Sequence, residues 1–150
     1  MKAKQSSTLL CTAILAFAAH ADVPGKHPAY LHAITDLRDA RWDISHREGN
    51  AAVKDQERQA ITEINHAIDE ARNAAAADGK NVAADPREDA KLDHAGKLHH
   101  AGDLLRQAKS DISEQEDNPA ARAAQRRAAM HVDAALQATV AAIRDVEQRK

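Results

Sequence analysis

An internal repeat constrains the fold of this chain more than any other feature of its sequence. The segment from Tyr30 to Ile44 aligns without a gap with the segment from Leu98 to Ile112, which begins 68 residues later. At that single offset, 15 of the 51 positions from His27 to Ala77 carry identical residues, more than a bias toward alanine explains. A repeat of this length predicts a supersecondary unit that occurs twice, over residues 27–77 and 95–145.

Each repeat is predicted to be a helical hairpin. Apolar residues recur at alternating steps of three and four, which places them on one stripe of a helix; in the first helix they are Tyr30, Ala33, Leu37, Ala40 and Ile44. The turn signal Asp78-Gly79 opens a predicted linker, 78–85, between the two hairpins. Asp85-Pro86 and Asn118-Pro119 combine a capping residue with a proline and predict the starts of the third and fourth helices.

Four amphipathic helices joined mostly by short connections predict an all-α protein. The simplest arrangement is a duplicated helical hairpin that forms an up-down-up-down four-helix bundle. An elongated pair of hairpins that dimerises to complete its core is the alternative.

The first 21 residues are predicted to be a signal peptide. Lys2 and Lys4 form a positive segment, residues 8–19 are apolar but too short to span a bilayer, and Ala19-His20-Ala21 fits a cleavage site. Cys11 would leave with this peptide, so residues 22–150, a single predicted domain, contain no disulfide. The expected location is the periplasm or the exterior of the cell.

Composition narrows the classes of function. Without Lys2 and Lys4 the chain has 19 basic and 23 acidic side chains, a formal charge of −4 that argues against nucleic acid as a partner. No later apolar run is long enough to predict a membrane span. The remaining chain lacks a nucleophilic cysteine, a G-x-S-x-G motif and a phosphate-binding glycine loop, so we do not expect an enzyme.

Histidine is unusually frequent, with eight in residues 22–150. Imidazole is a common ligand of zinc, copper and nickel, and packed helices would bring distant histidines together. We therefore name His32, His99 and His100 as candidate metal ligands. The alternative is that the histidines lie on the surface and pair with acids one turn along, as His32 with Asp36 and His99 with Asp103.

Glu63 and His66 have the E-x-x-H spacing of carboxylate-bridged di-iron bundles, but such sites need two of these motifs facing the core. His66 lies about 200° around the helix from Ile64, a predicted core residue. The sequence therefore argues against a di-iron site.

Leu31 and Trp42 mark a departure from the repeat. They are eleven residues apart, about three helical turns, whereas the corresponding residues of the second repeat are the polar His99 and Ser110. An apolar pair present in one repeat only indicates a surface used once, for a partner, a ligand or a second copy of the chain. The alternative is that Trp42 covers the edge of the first hairpin or packs under the linker.

The segments Tyr30–Ile44 and Leu98–Ile112 resemble the L-x-x-A-x-x-D-L-R-x-A-R pattern of small exported bacterial helical proteins that have no assigned activity. The resemblance covers both hairpins and implies an extracytoplasmic helical bundle, but it transfers no functional residue. The chain lacks the L-T-x-x-Q motifs of small helical periplasmic stress chaperones.

Three functional hypotheses follow. The first is a non-enzymatic exported interaction or stress-associated module, whose Leu31 and Trp42 contact an unknown protein or a second copy of the chain. The second is a histidine-based protein that binds metal or responds to pH, since protonation of all eight histidines moves the charge from −4 to +4. The third is a small-molecule carrier with a cavity inside the bundle.

Overall fold

Four α-helices make up most of the computed structural model, which describes residues 28–46, 54–80 and 92–149. They are α1 (Tyr30–Ser45), α2 (Asp55–Ala77), α3 (His94–Ile112) and α4 (Pro119–Glu147). The described residues form no β-strand, so the predicted all-α class is confirmed. The predicted signal peptide, 1–21, and residues 81–85 of the predicted linker lie outside these ranges.

The starts of α3 and α4 follow the capping rules. The predicted start of α4 is confirmed, because Pro119 is its first residue and the side chain of Asn118 accepts a backbone hydrogen bond of 3.0 Å. Helix α3 begins at His94, where the side chain of Asp93 accepts a backbone hydrogen bond of 2.7 Å. The predicted cap at Asp85 lies outside the described residues, and Asp93 is the residue that caps α3.

The predicted turn after α2 is present. Gly79 has a φ of +72°, a left-handed conformation that glycine adopts without steric cost. This conformation lets the backbone N–H of Lys80 donate to the carbonyl of Ala75 over 2.9 Å, which satisfies one of the last carbonyls of the helix.

The predicted apolar stripes form the core. Alanine is its commonest residue, so the helices meet through small side chains, with leucine, isoleucine and valine filling the remaining space. All five stripe residues of α1 and of α3 are fully buried; those of α3 are Leu98, Ala101, Leu105, Ala108 and Ile112. None of the helices in the described ranges combines the length and the hydropathy that a membrane crossing requires.

The directions in which the helices run differ from the prediction. The extensive interfaces are α1 with α2, α3 with α4, α1 with α3, and α2 with α4, so α2 and α3 lie on a diagonal of the bundle. His94 at the start of α3 is hydrogen-bonded to Glu57 at the start of α2, so these two helices run in the same direction. The structure therefore does not confirm the predicted up-down-up-down order: α1 and α4 run in one direction, and α2 and α3 run in the other.

Candidate functional site

Histidines of the described chain are concentrated at contacts between helices. Five of them hydrogen-bond to a carboxylate on another helix, in the pairs His32–Asp111, His94–Glu57, His99–Glu147, His100–Asp43 and His131–Glu63. The first four involve α3, and we call them the α3 pairs. A contact of this kind joins a side chain that can carry a positive charge to one that carries a negative charge.

The three histidines of α3 reach three different helices. Nε2 of His94 lies 3.0 Å from Glu57 on α2, and Nδ1 of His100 lies 2.6 Å from Asp43 on α1. His99 reaches α4 over 3.2 Å. The side chains of Glu57 and Asp43 are 0% and 2% exposed, so these carboxylates depend on protein groups for the interactions that water gives an exposed acid.

Two of the α3 pairs correspond through the sequence repeat. His32 on α1 bonds to Asp111 on α3, and His100 on α3 bonds to Asp43 on α1, each over 2.6 Å from Nδ1 to Oδ2. The offset of 68 residues converts one pair into the other. Histidine–aspartate hydrogen bonds therefore stabilise the antiparallel contact of α1 with α3 near both of its ends.

A buried acid lies beside one of these pairs. The Asp36 side chain is 8% exposed, its Oδ2 atom has no hydrogen-bond partner among the described residues, and His32 Nδ1 is 3.9 Å away. Burial raises the pKa of Asp36 to about 6, and the negative charges of Asp111 and Asp39 act in the same direction, whereas the His32 charge opposes it. The hydrogen bond to Asp111, and then the charge of Asp36, raise the pKa of His32 above its ordinary value.

A second group of side chains lies between α2 and α4. Nδ1 of His131 is 2.8 Å from Oε2 of Glu63, and the ring of His66 meets the ring of His131 edge-on, with 5.0 Å between centroids. One potential ligand atom from each of the three residues lies within 4.8 Å of the other two. His66 is exposed and faces away from the core, as the argument against a di-iron site requires.

The three predicted metal ligands occupy separate contacts. His32 bonds to Asp111 near the end of α3, His100 bonds to Asp43, and His99 bonds to a different acid on α4. Of the two groups with ligand spacing among the described residues, one contains His32 with Asp36 and Asp111, and neither contains His99 or His100. The structure therefore does not bring His32, His99 and His100 together as one set of metal ligands.

The predicted one-turn pairs are replaced or weakened by contacts between helices. His32 is 3.9 Å from Asp36, but its hydrogen bond goes to Asp111. His99 bonds to α4, and Asp103 receives a hydrogen bond from Arg106 on its own helix.

The predicted partner patch consists of two separate features. Leu31 is 41% exposed, which is high for a large apolar side chain. Trp42 is half-buried and stacks on His46 with 3.4 Å between ring centroids. It also lines a surface groove of about 220 Å³ with Arg38 and Arg41. Leu31 and Trp42 are eleven positions apart in the sequence, which separates them by about 16 Å along α1.

The sequence did contain a signal for two of the carboxylates. Asp43 follows His32 by eleven residues, and Asp111 follows His100 by eleven, close to three full helical turns. Each helix therefore presents a histidine and an aspartate on the same face. When two such helices pack antiparallel, each histidine meets the aspartate of the other helix, which is the arrangement observed.

No protein-family model, no curated protein and no solved structure matches this chain.

Proposed function

We propose that this chain is a non-enzymatic, exported helical-bundle protein that serves as an interaction or stress-associated module in mildly acidic surroundings, with the α3 pairs as its pH-responsive contacts. One observation carries the proposal: each histidine of α3 bonds to a carboxylate on a different helix. A change in the charge of these three histidines therefore acts on the contacts of α3 with every other helix at once.

The direction of the response follows from the chemistry of the pairs. A neutral imidazole already donates to an ionised acceptor, and an imidazolium adds the attraction between opposite charges to that hydrogen bond. Two of the carboxylates, Glu57 and Asp43, are buried and gain most from a positive partner. We therefore expect mild acid to strengthen the contacts of α3 with the other helices.

Asp36 supports the same direction. The corresponding position of the second hairpin is Leu104, a partly buried apolar residue that packs against the core. An ionised acid in place of an apolar residue lowers the free energy of unfolding. Protonation of the acid removes this loss. The raised pKa of Asp36, about 6, places this gain in mild acid.

The decisive experiment compares the wild-type protein with a variant whose His32, His94, His99 and His100 are replaced by glutamine. Glutamine keeps a hydrogen-bond donor but does not titrate. We expect the free energy of unfolding in urea to rise between pH 8 and pH 5.5 in the wild-type protein. The rise should be much smaller in the variant.

His46→Gln is the matched control, since the His46 ring stacks on Trp42 instead of reaching another helix. This substitution should leave the dependence on pH unchanged. An equal rise in the wild-type protein and the fourfold variant would contradict the proposal, because the response would then come from groups outside the α3 pairs.

Self-association through Leu31 and Trp42 is a second candidate function. The exposure of Leu31 favours it, because an apolar side chain of this size gains free energy when a partner covers it. Sedimentation of Leu31→Ser and Trp42→Ser variants tests the proposal against Leu92→Ser, which removes a leucine of similar exposure, 40%. Dimers that persist in both test variants, or monomers at every concentration of wild-type protein, would exclude it.

A small-molecule carrier is the third proposal. A groove of about 390 Å³ is lined by residues of α3 and α4, among them Leu136 and Val140, but it opens to solvent along the outside of the bundle. A carrier site in the core would instead need an enclosed space between the apolar stripes.

We also propose that the bundle arose by duplication of one hairpin. The correspondence of His32–Asp111 with His100–Asp43 supports it. The same offset relates two contacts within the hairpins, from Arg41 to Asn65 and from Lys109 to Asp133.

A further inference from the structure

We propose that Glu63, His66 and His131 form a binding site for one divalent transition-metal ion, with zinc as the reference ion, that links α2 to α4. The three side chains offer two imidazole nitrogens and one carboxylate oxygen, each within 4.8 Å of the other two. None of them belongs to the α3 pairs, so this site is independent of the proposed pH response.

The packing of α2 against α4 explains why these residues meet. Glu63 and His66 are three residues apart and therefore lie on the same face of α2. The two helices are antiparallel, as a second contact shows: Glu70, further along α2, receives two hydrogen bonds of 2.7 and 2.8 Å from Arg127, which precedes His131 on α4. This register places His131 opposite Glu63. The bidentate contact lies about one turn from His131 on α4 and about two turns from Glu63 on α2.

The ligand set suits zinc. Two histidines and one glutamate, with water in the fourth position, form a known type of zinc site, and copper and nickel also accept imidazole. The ligand atoms around a tetrahedral ion lie about 3.3 Å apart when each is about 2 Å from the metal. The exposed His66 side chain has freedom to close the remaining distance toward the His131–Glu63 pair.

Binding exchanges a proton for the metal. In the metal-free protein an imidazole N–H joins His131 to Glu63 over 2.8 Å. A metal ion between the two residues would take the place of that hydrogen bond, and any proton on the coordinating nitrogen would pass to solvent.

The other group with ligand spacing, His32 with Asp36 and Asp111, is a weaker candidate. It contains a single imidazole, and one of its carboxylates, Asp36, is buried and has a raised pKa of about 6. Protonation competes with metal binding at such an acid. This group therefore serves as an internal comparison.

The experiment uses metal-stripped protein without a polyhistidine tag at pH 7.5. Zinc is titrated in competition with a chromophoric chelator, and thermal unfolding is followed in parallel with and without zinc. We expect one tight equivalent of zinc and a higher melting temperature in the wild-type protein, because an ion that binds only the folded state stabilises it. His66→Ala should weaken zinc binding by at least about tenfold and remove the shift in melting temperature.

Two control variants make the result specific. His99→Ala removes another exposed histidine, and Asp36→Asn disables the alternative group; both should bind zinc as the wild-type protein does. Thermal unfolding without zinc shows whether each variant is folded. The proposal is overturned if the wild-type protein binds no zinc, if His66→Ala binds it with unchanged affinity, or if the loss appears in either control variant instead.

Discussion

Nδ1 of His100 on α3 lies 2.6 Å from Oδ2 of Asp43 on α1, and the Asp43 side chain is only 2% exposed. Replacing His100 with alanine removes a hydrogen-bond partner from a buried carboxylate. We expect this change to lower the free energy of unfolding by about 2 kcal/mol, because a buried acceptor that loses its donor is not fully compensated by water. Urea unfolding at pH 6 measures the change.

The neighbouring residue provides the comparison. His99 bonds to Glu147, but both side chains are more than half exposed, so His99→Ala should change stability by no more than about 0.5 kcal/mol. Equal losses in the two variants would show that burial of the carboxylate does not decide the strength of these pairs.

The stability of the fold should be greatest in mild acid. Asp36 has a folded-state pKa of about 6 against an ordinary value of 3.8. Between these values the folded protein holds a proton that the unfolded chain lacks, so stability rises as pH falls through this window. The raised pKa of His32 acts in the same sense: its contribution is complete below 6.5 and is lost as pH rises through the folded-state pKa.

Other acids set the lower limit of this window. The hydrogen bonds from Arg127 lower the pKa of Glu70, and those from Lys54 and Arg149 lower the pKa of Asp145. Their contributions are present above the ordinary pKa values, 4.5 and 3.8, and are lost as pH falls through the folded-state values. We expect a bell-shaped profile of stability with its maximum at about pH 4.5, where the gain from Asp36 begins to be offset by the loss from Glu70.

Asp36→Asn tests the high-pH side of this profile. Because asparagine does not titrate, the variant should be more stable than the wild-type protein at pH 7.5, and the advantage should shrink toward pH 4. Denaturant midpoints at half-unit steps of pH measure both effects. A constant difference between the two proteins across this range would contradict the assigned role of Asp36.

The apolar stripes were predictable because they depend on local spacing alone. Leu37 and Ile44 on α1, or Leu105 and Ile112 on α3, lie on the buried face whatever the partner of the helix is. The same spacing does not tell which helices are neighbours. Residues 78–93 could span about 50 Å when extended, whereas α3 is only about 28 Å long, so this connection permits either direction of α3.

The partners of the histidines were harder to predict for the same reason. Spacing along one helix gave Asp36 as the partner of His32, but the hydrogen bond goes to Asp111, 79 residues away. That choice depends on which helices pack together and in which register. The zinc site illustrates the point again: Glu63 and His66 are near each other in sequence, while His131 is supplied by the packing of α4.

Gly102 provides a test of helix propensity in α3. It lies inside the helix, and a methyl group added there would meet only the Arg106 guanidinium, at an ordinary contact distance of 3.7 Å. Gly102→Ala should therefore stabilise the protein by about 0.5 to 1 kcal/mol, since alanine favours the helix and restricts the unfolded chain. Gly79→Ala should have the opposite sign because of the left-handed backbone at Gly79. Melting temperatures that move in the same direction would contradict this reasoning.

Tyr30 and Glu116 form a buried contact that joins the start of α1 to the segment between α3 and α4. The Tyr30 hydroxyl donates to Oε2 of Glu116 over 2.7 Å. Burial, and then the bond to Glu116, raise the pKa of Tyr30 above its ordinary value, so the hydroxyl remains a neutral donor in any practical buffer. Tyr30→Phe keeps the ring and removes only this donor. We expect it to lower the free energy of unfolding by about 1 to 3 kcal/mol.

A double-mutant cycle with Glu116→Gln separates the contact from its surroundings. The backbone N–H of Asn118 also donates to Glu116, over 2.7 Å to Oε1, so the carboxylate keeps one donor in the Tyr30→Phe variant. If the hydroxyl and the carboxylate act on each other directly, the two substitutions together should cost less than the sum of their separate effects. Additive effects would mean that Tyr30 stabilises the start of α1 through its buried ring alone.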